Sequence, residues 1–271
     1  MSTILRMSLV MNLLSLLLST VIAHSNQRTV PLRSFKMKPS VSRLELKMQT
    51  GKNETSNKKK IGCPNGTVPI LRNTKEFFTN SQIFAENHFL PLSADSPGTH
   101  INPSLYGDQR VWTFGFWKGK DGKGCYNTAC SGFVQVSKKI PIVEPSVLKP
   151  GVPRWLRYSI HQDKNTGNWW ITQLMKYAPN EDIGYWPKEL FNLLDNGANM
   201  VGAGGVVQAS PSGSSPPMGN GILPNVGPQD SGVFTNIKVL NSNYQQRKMD
   251  SFPIESLVDS VKCYHYKKTH A

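Results

Sequence analysis

The side chains in this sequence whose types could do chemistry are four cysteines, two adjacent tryptophans and a thin scatter of histidines and acids. Cys125 and Cys130 flank Tyr126-Asn127-Thr128-Ala129, while Cys63 and Cys263 stand far away. The Cys125/Cys130 spacing does not suit a zinc pair and no histidine lies beside it, so a local disulfide is expected. Fixing that bridge pairs Cys63 with Cys263 or leaves both as thiols. His88 and His100 lie in loop-like sequence, and no metal site or cofactor is expected from them. Trp169-Trp170 would suit the floor of a sugar site. Adjacent strand residues point to opposite faces, however, so one of the two belongs to a core. There is no G-x-S-x-G, P-loop, H-E-x-x-H or G-x-G-x-x-G pattern. Nucleophile-triad, P-loop nucleotide, zincin and dinucleotide chemistry therefore have no support.

The chain has 271 residues and a formal net charge of +14. Arg6 precedes an uncharged run rich in Leu, Val, Met and Ser, and Val21-Ile22-Ala23 suits a cleavage site. Residues 1–23 are expected to be a secretory signal peptide, which makes the protein secreted and extracellular. The apolar run is shorter than the ~20 residues that span a bilayer, so no membrane span is expected. Secretion makes disulfides the default. It also gives meaning to the sequons Asn53-Glu54-Thr55 and Asn65-Gly66-Thr67; Pro103 removes a third at Asn102. Residues 24–80 carry 12 basic and 3 acidic residues. Such charge either solubilises the chain or attracts acidic or wall polysaccharide. Lys58-Lys59-Lys60 reads as a solvated loop. No zinc finger, RNP-type strand or basic helix supports binding to nucleic acid.

The elements that must position these residues read as follows. Residues 24–60 are polar, basic and poorly periodic, as in a flexible pro-segment. A short helix is expected over 74–80. Strands are expected over 111–116, 133–136, 157–161, 169–174, 200–208 and 234–240, where aromatic and β-branched residues are bounded by turns. Asp163-Lys164-Asn165-Thr166-Gly167 is a hairpin loop, and 210–228 is a long Ser/Pro/Gly loop. A helix is expected from Pro187, with Leu190, Phe191, Leu193 and Leu194 on one face and Gly197 past its end. The pattern is all-β: an antiparallel β-sandwich of two sheets, or a barrel, with one short helix.

Five stretches carry a resemblance when taken in order. They are CPNGTVPILR (63–72), NPSLYGDQR (102–110), GCYNTACSGFVQV (124–136), TGNWW (166–170) and GYWP (184–187). Together they resemble the neprosin family, plant secreted proteins in which an activation region precedes a neprosin domain. The resemblance covers roughly 61–264, and Cys263-Tyr264 is similar to the family's ending. It implies a signal peptide at 1–23, an activation-like pro-region at 24–92 and a shortened neprosin domain at 93–271. It also implies a β-sandwich with two catalytic glutamates, and a proline-rich polypeptide as the substrate class. One carboxylate must be ionised to activate water, and the other protonated to polarise the scissile carbonyl. Close carboxyls push their pKa values apart, which suits an acid-active enzyme.

Neither glutamate is found at its family position. The family pattern W-G-G-E reads Ala203-Gly204-Gly205-Val206 here, and M-G-S-G-H-F-P reads Met218-Gly219-Asn220-Gly221-Ile222-Leu223-Pro224. Counted without a gap, Ser96 takes the place of the other glutamate and Thr99 that of a tryptophan. Read instead as the opening S-A-D-x-P-G-T-H, residues 93–100 run straight into Ile101, and the first strands are missing at the His100–Ile101 junction. Catalysis is therefore not expected, unless Asp108, Glu144, Glu181 or Glu189 supplies an unrecognised acid pair. Without such a pair the protein is a pseudoenzyme, a truncated isoform or a wall-carbohydrate binder with Trp169, Trp170 and Trp186 lining a cleft. Loss of the first strands would also bare the edge of strand 111–116 and promote self-association, unless residues 81–100 fold into the gap.

Overall fold

Residues 63–71, 73–86, 94–149, 155–207, 217 and 232–258 are described by a computed structural model. The expected signal peptide, Asn53, His88, Cys263 and the 210–228 loop apart from Pro217 lie outside the described residues. Trp112-Thr113-Phe114-Gly115-Phe116-Trp117-Lys118 forms β2, which is buried on both faces. An extended segment of that kind must satisfy its backbone on both edges. It does so between β1 (Ala94–His100) and β3 (Gly124–Tyr126), both antiparallel to it. The second sheet has the order β4 (Val134–Gln135), β7 (Glu181–Trp186), β6 (Trp169–Gln173), β5 (Tyr158–Gln162). β8 (Lys238–Leu240) and β9 (Gln246–Lys248) form a two-stranded third sheet. All pairings are antiparallel. The fold class is all-β, as expected.

The first two sheets share one core. Trp112, Phe116 and Tyr126 of the first join Trp169, Ile171 and Trp186 of the second. Helix α1 (Lys75–Glu86) adds Phe77, which is 6% exposed, and α2 (Pro103–Tyr106) adds Leu105. Among the described residues α1 is the one helix of more than a single turn, and it outruns the 74–80 expected. Cys125 and Cys130 are disulfide-bonded, with Cα atoms 6.2 Å apart. Among the described residues no helix is long and apolar enough to cross a membrane.

Four expectations need correction. The strand over 234–240 shortens to β8, leaving Phe234 59% exposed. The helix over 187–197 shrinks to one 3-10 turn, Lys188–Leu190. Tertiary contacts hold the segment in an irregular path instead, with Phe191 and Leu194 buried in the core. Leu194 O accepts from Trp169 Nε1 and Gln162 Nε2, and Asp195 O also accepts from Gln162 Nε2. No strand forms over 200–207, where Met200 and Val206 are 66% and 74% exposed. A strand needs a partner, and among the described residues none pairs with this segment. Finally, the edge of 111–116 is not bare. β1 pairs with β2 from Ala94↔Lys118 to His100↔Trp112, so residues just before the junction fill the gap. The sheet edge passes to β1, where Pro97 brings no N–H to recruit a further strand.

Candidate functional site

The Asn-Pro-Ser-Leu-Tyr-Gly-Asp stretch follows the junction directly and builds a polar knot at the end of β1. Asn102 caps α2 by accepting from the Leu105 N–H at 3.0 Å, and Pro103 takes the first turn, where no N–H is needed. Gly107 ends the turn in the left-handed region at φ 77°, which costs a glycine nothing. Tyr106 is thereby aimed at two partners. Its hydroxyl lies 2.7 Å from His100 Nε2 and accepts from Asn127 Nδ2 at 3.2 Å. Burial pushes that hydroxyl well above the ordinary tyrosine range, so it stays neutral. The His100 ring stacks on Phe114 at 4.4 Å, and Tyr106 stacks on Trp112 at 4.6 Å.

Asp108 completes the motif. Its carboxylate accepts from Trp112 Nε1 at 2.8 Å and from the backbone N–H and Nε of Arg110. Those charge-assisted bonds, that to Arg110 first, hold its pKa down to about 2. A carboxyl so held stays ionised at any ordinary pH and cannot serve as the protonated member of an acid pair.

The second sheet sorts its aromatic residues onto two faces. Trp169 pairs with Trp186, and Trp170 with Tyr185. Trp169, Ile171 and Trp186 enter the core between the sheets. Trp170 and Tyr185 take the opposite face, their rings 4.8 Å apart. Thr172 and Asp182 share that outer face, joined by a 2.8 Å hydrogen bond, and His161 pairs with Trp170 there. A register shift between Ile171 and Thr172 lets Ile183 reach the core as well. The three tryptophans proposed as cleft lining, Trp169, Trp170 and Trp186, are 7%, 1% and 0% exposed. They are packing residues here, and none offers an open ring to a sugar.

Glu181 and Asp163 are engaged locally. Glu181 accepts from Ser137 Oγ at 2.7 Å, with Lys139 Nζ 4.0 Å away. Asp163, buried at 1% exposure, accepts from the N–H groups of Asn165 and Thr166 and from Thr166 Oγ1, which locks the β5–β6 turn. Glu189 is exposed beside Lys188. Among the described residues no group of three or more His, Cys, Asp or Glu could hold a metal ion. Val206 and Ile101 are 74% and 58% exposed.

A family model described as Neprosin matches residues 75–271. The chain belongs to the neprosin family. The matched span of this neprosin domain opens on Lys75, the first residue of α1, and takes in every strand described above. Its shared motifs act as structural joints: the Tyr106–Asp108 knot, the 125–130 ring and the Trp169/Trp186 register. Sequence reasoning missed Asn127, His161, Asp163 and Asp182. Asp163 was legible in Asp-x-Asn-Thr-Gly, which is Asx-turn chemistry. The placing of His161 and Asp182 on one sheet face depends on strand register and carried no local signal.

Proposed function

We propose that this neprosin-domain protein is secreted and does not hydrolyse peptide bonds. The observation that carries this reading is the engagement of four of its acids. Glutamic-peptidase chemistry needs two carboxyls facing one water, one ionised and one protonated. Here Asp108 is held ionised by Arg110 and Trp112, Glu181 is tied to Ser137, Asp182 to Thr172, and Asp163 to its own turn. Val206 stands where the family places a glutamate, on a segment without a strand partner among the described residues. The exposed 200–207 segment fits a domain whose first strands, and the other glutamate with them, are missing at the His100–Ile101 junction.

The purified protein, acid-treated to release any pro-segment, is expected to leave proline-containing peptides intact between pH ~2.5 and 7, the span of ordinary and raised carboxyl pKa values. Val206→Glu should fold with an unchanged melting temperature, because the position is exposed, and should remain inactive, because one carboxylate lacks its partner. Cleavage by the natural protein that vanishes when one acid is changed to its amide would overturn the reading. So would turnover by Val206→Glu.

Secretion itself has a check at Asn65. Pro64-Asn65-Gly66-Thr67 is an exposed turn, closed by Thr67 N–H donating to Pro64 O at 3.1 Å, with Gly66 at φ 82°. A sequon presented this way remains accessible for an N-linked glycan. Protein from a eukaryotic secretory host should lose mass on glycosidase treatment, and Asn65→Gln should remove that part of the shift. An unglycosylated Asn65 in secreted material would refute the glycan at that turn.

A further inference from the structure

Among the described residues β5 pairs with β6 alone and so forms an edge of the second sheet. At its centre of charge is His161, on the outer face opposite Trp170. Among the described residues its Nδ1 is shielded from water and meets no hydrogen-bond partner. The surroundings suit a neutral ring. β6 presents the uncharged Trp170 and Thr172, and β7 presents Tyr185 and Asp182. The charges acting on the ring are Asp182 and, from the β5–β6 turn, Asp163. Both carboxylates already have donors: Thr172 for Asp182, and the turn for Asp163. A proton added to the imidazole therefore creates a half-buried cation whose shielded Nδ1–H has no acceptor among the described residues, which is costly.

We propose that His161 is an acid-sensitive latch: neutral, it lets β5 seal the outer edge of the second sheet; protonated, it loosens that strand. Release of β5 breaks its one ladder to β6 and the bonds that Gln162 at its end makes with Leu194 O, Asp195 O and the Tyr244 hydroxyl, while β4, β7 and β6 stay paired. The inference does not depend on the reading about peptidase activity.

The direction follows from burial, which pulls the His161 pKa below its ordinary 6.5 against the smaller opposing pull of Asp182 and Asp163. A histidine lowered on folding leaves stability intact above the unfolded value. Stability then falls as pH drops from about 6.5 to the folded value, with the opening equilibrium rising by at most ~10-fold per pH unit for one proton. Hydrogen exchange at the amides of residues 158–162, corrected for intrinsic rates, reads this out at pH 7.5 and pH 5. The natural protein should open several-fold more at pH 5 in β5, with β7 unchanged. His161→Gln should abolish the difference. Asp182→Asn, which removes an opposing charge, should enlarge it. Equal protection of β5 at both pH values, or an acid response that survives in His161→Gln, would overturn the latch. If His161→Gln does not fold, an NMR titration of the natural His161 ring decides. A midpoint below the free-histidine value supports the latch, and one at or above it refutes it.

Discussion

Replacing Gly184 with alanine is expected to cost more than about 3 kcal/mol, beyond the usual range for overpacked cores, and to lower the melting temperature by at least ~6 °C. Gly184 lies inside the second sheet, with Gln135 of β4 on one side and Ile171 of β6 on the other. A Cβ there would fall 2.2 Å from the Val134 carbonyl oxygen and 2.6 Å from the Phe133 ring. A ring can turn away, but a ladder carbonyl cannot move without taking β4 with it. The glycine of Gly-Tyr-Trp-Pro is thus required by close strand approach. Gly202→Ala is the control, because a Cβ there meets nothing within 4 Å. Thermal melts of both variants test the point. A Gly184→Ala protein that melts with the natural one would mean that β4 does not lie against β7 in this register.

Asn127→Ala is expected to lose about 3 kcal/mol, the sum of an orphaned buried donor and backbone strain. Asn127 is 1% exposed within the disulfide ring and holds φ at 56°. Its Oδ1 accepts from the Gly115 N–H at 2.9 Å, and its Nδ2 donates to Tyr106. Alanine removes both bonds and keeps the strained φ. Asn127→Gly removes the same bonds but relaxes the backbone, so it should recover roughly 1 kcal/mol of the loss. Urea melts of the three proteins separate the two causes. Equal stability of the alanine and glycine variants would show that the left-handed conformation carries no cost here. A loss under ~0.5 kcal/mol in Asn127→Ala, the size of an ordinary surface change, would discount the knot itself.

Much of the fold was legible because aromatic and β-branched runs are bounded by turn residues. Residues 111–116, 157–161 and 169–174 became β2, β5 and β6 with shifts of one or two positions. β1 was not legible as a strand, since Ala-Asp-Ser-Pro-Gly-Thr-His has the composition of a loop. It is extended because the apolar β2 needs a ladder partner, and that demand arises elsewhere in the chain. The reverse holds at 200–207, where strand-like sequence meets no partner. Around Leu190–Leu194 the apolar spacing suggested a helix, but the same spacing lets Phe191 and Leu194 dip into the core from an irregular path. Alternation indicated that Trp169 and Trp170 face opposite ways. Which one faces the core depends on register with β7, which no local signal encodes. The candidate site divides in the same manner: the Asp163 turn has a local signal, whereas the placing of His161 and Asp182 on one sheet face exists only after folding.

Phe77 of α1 sits in the core, close to Tyr106 with ring centroids 5.9 Å apart, and Asn73 Nδ2 donates to Thr128 O at 2.9 Å. A maturation cut between α1 and β1 would therefore sever the chain without parting the pieces. The upstream fragment would stay docked through its helix, and the product would be a nicked, two-chain molecule that runs as one species in native buffer and as two in denaturant. Forcing the fragments apart would empty the site under Phe77 and expose the Tyr106 knot to water. The helix before the expected boundary is, in physical terms, a subunit of the domain that follows it.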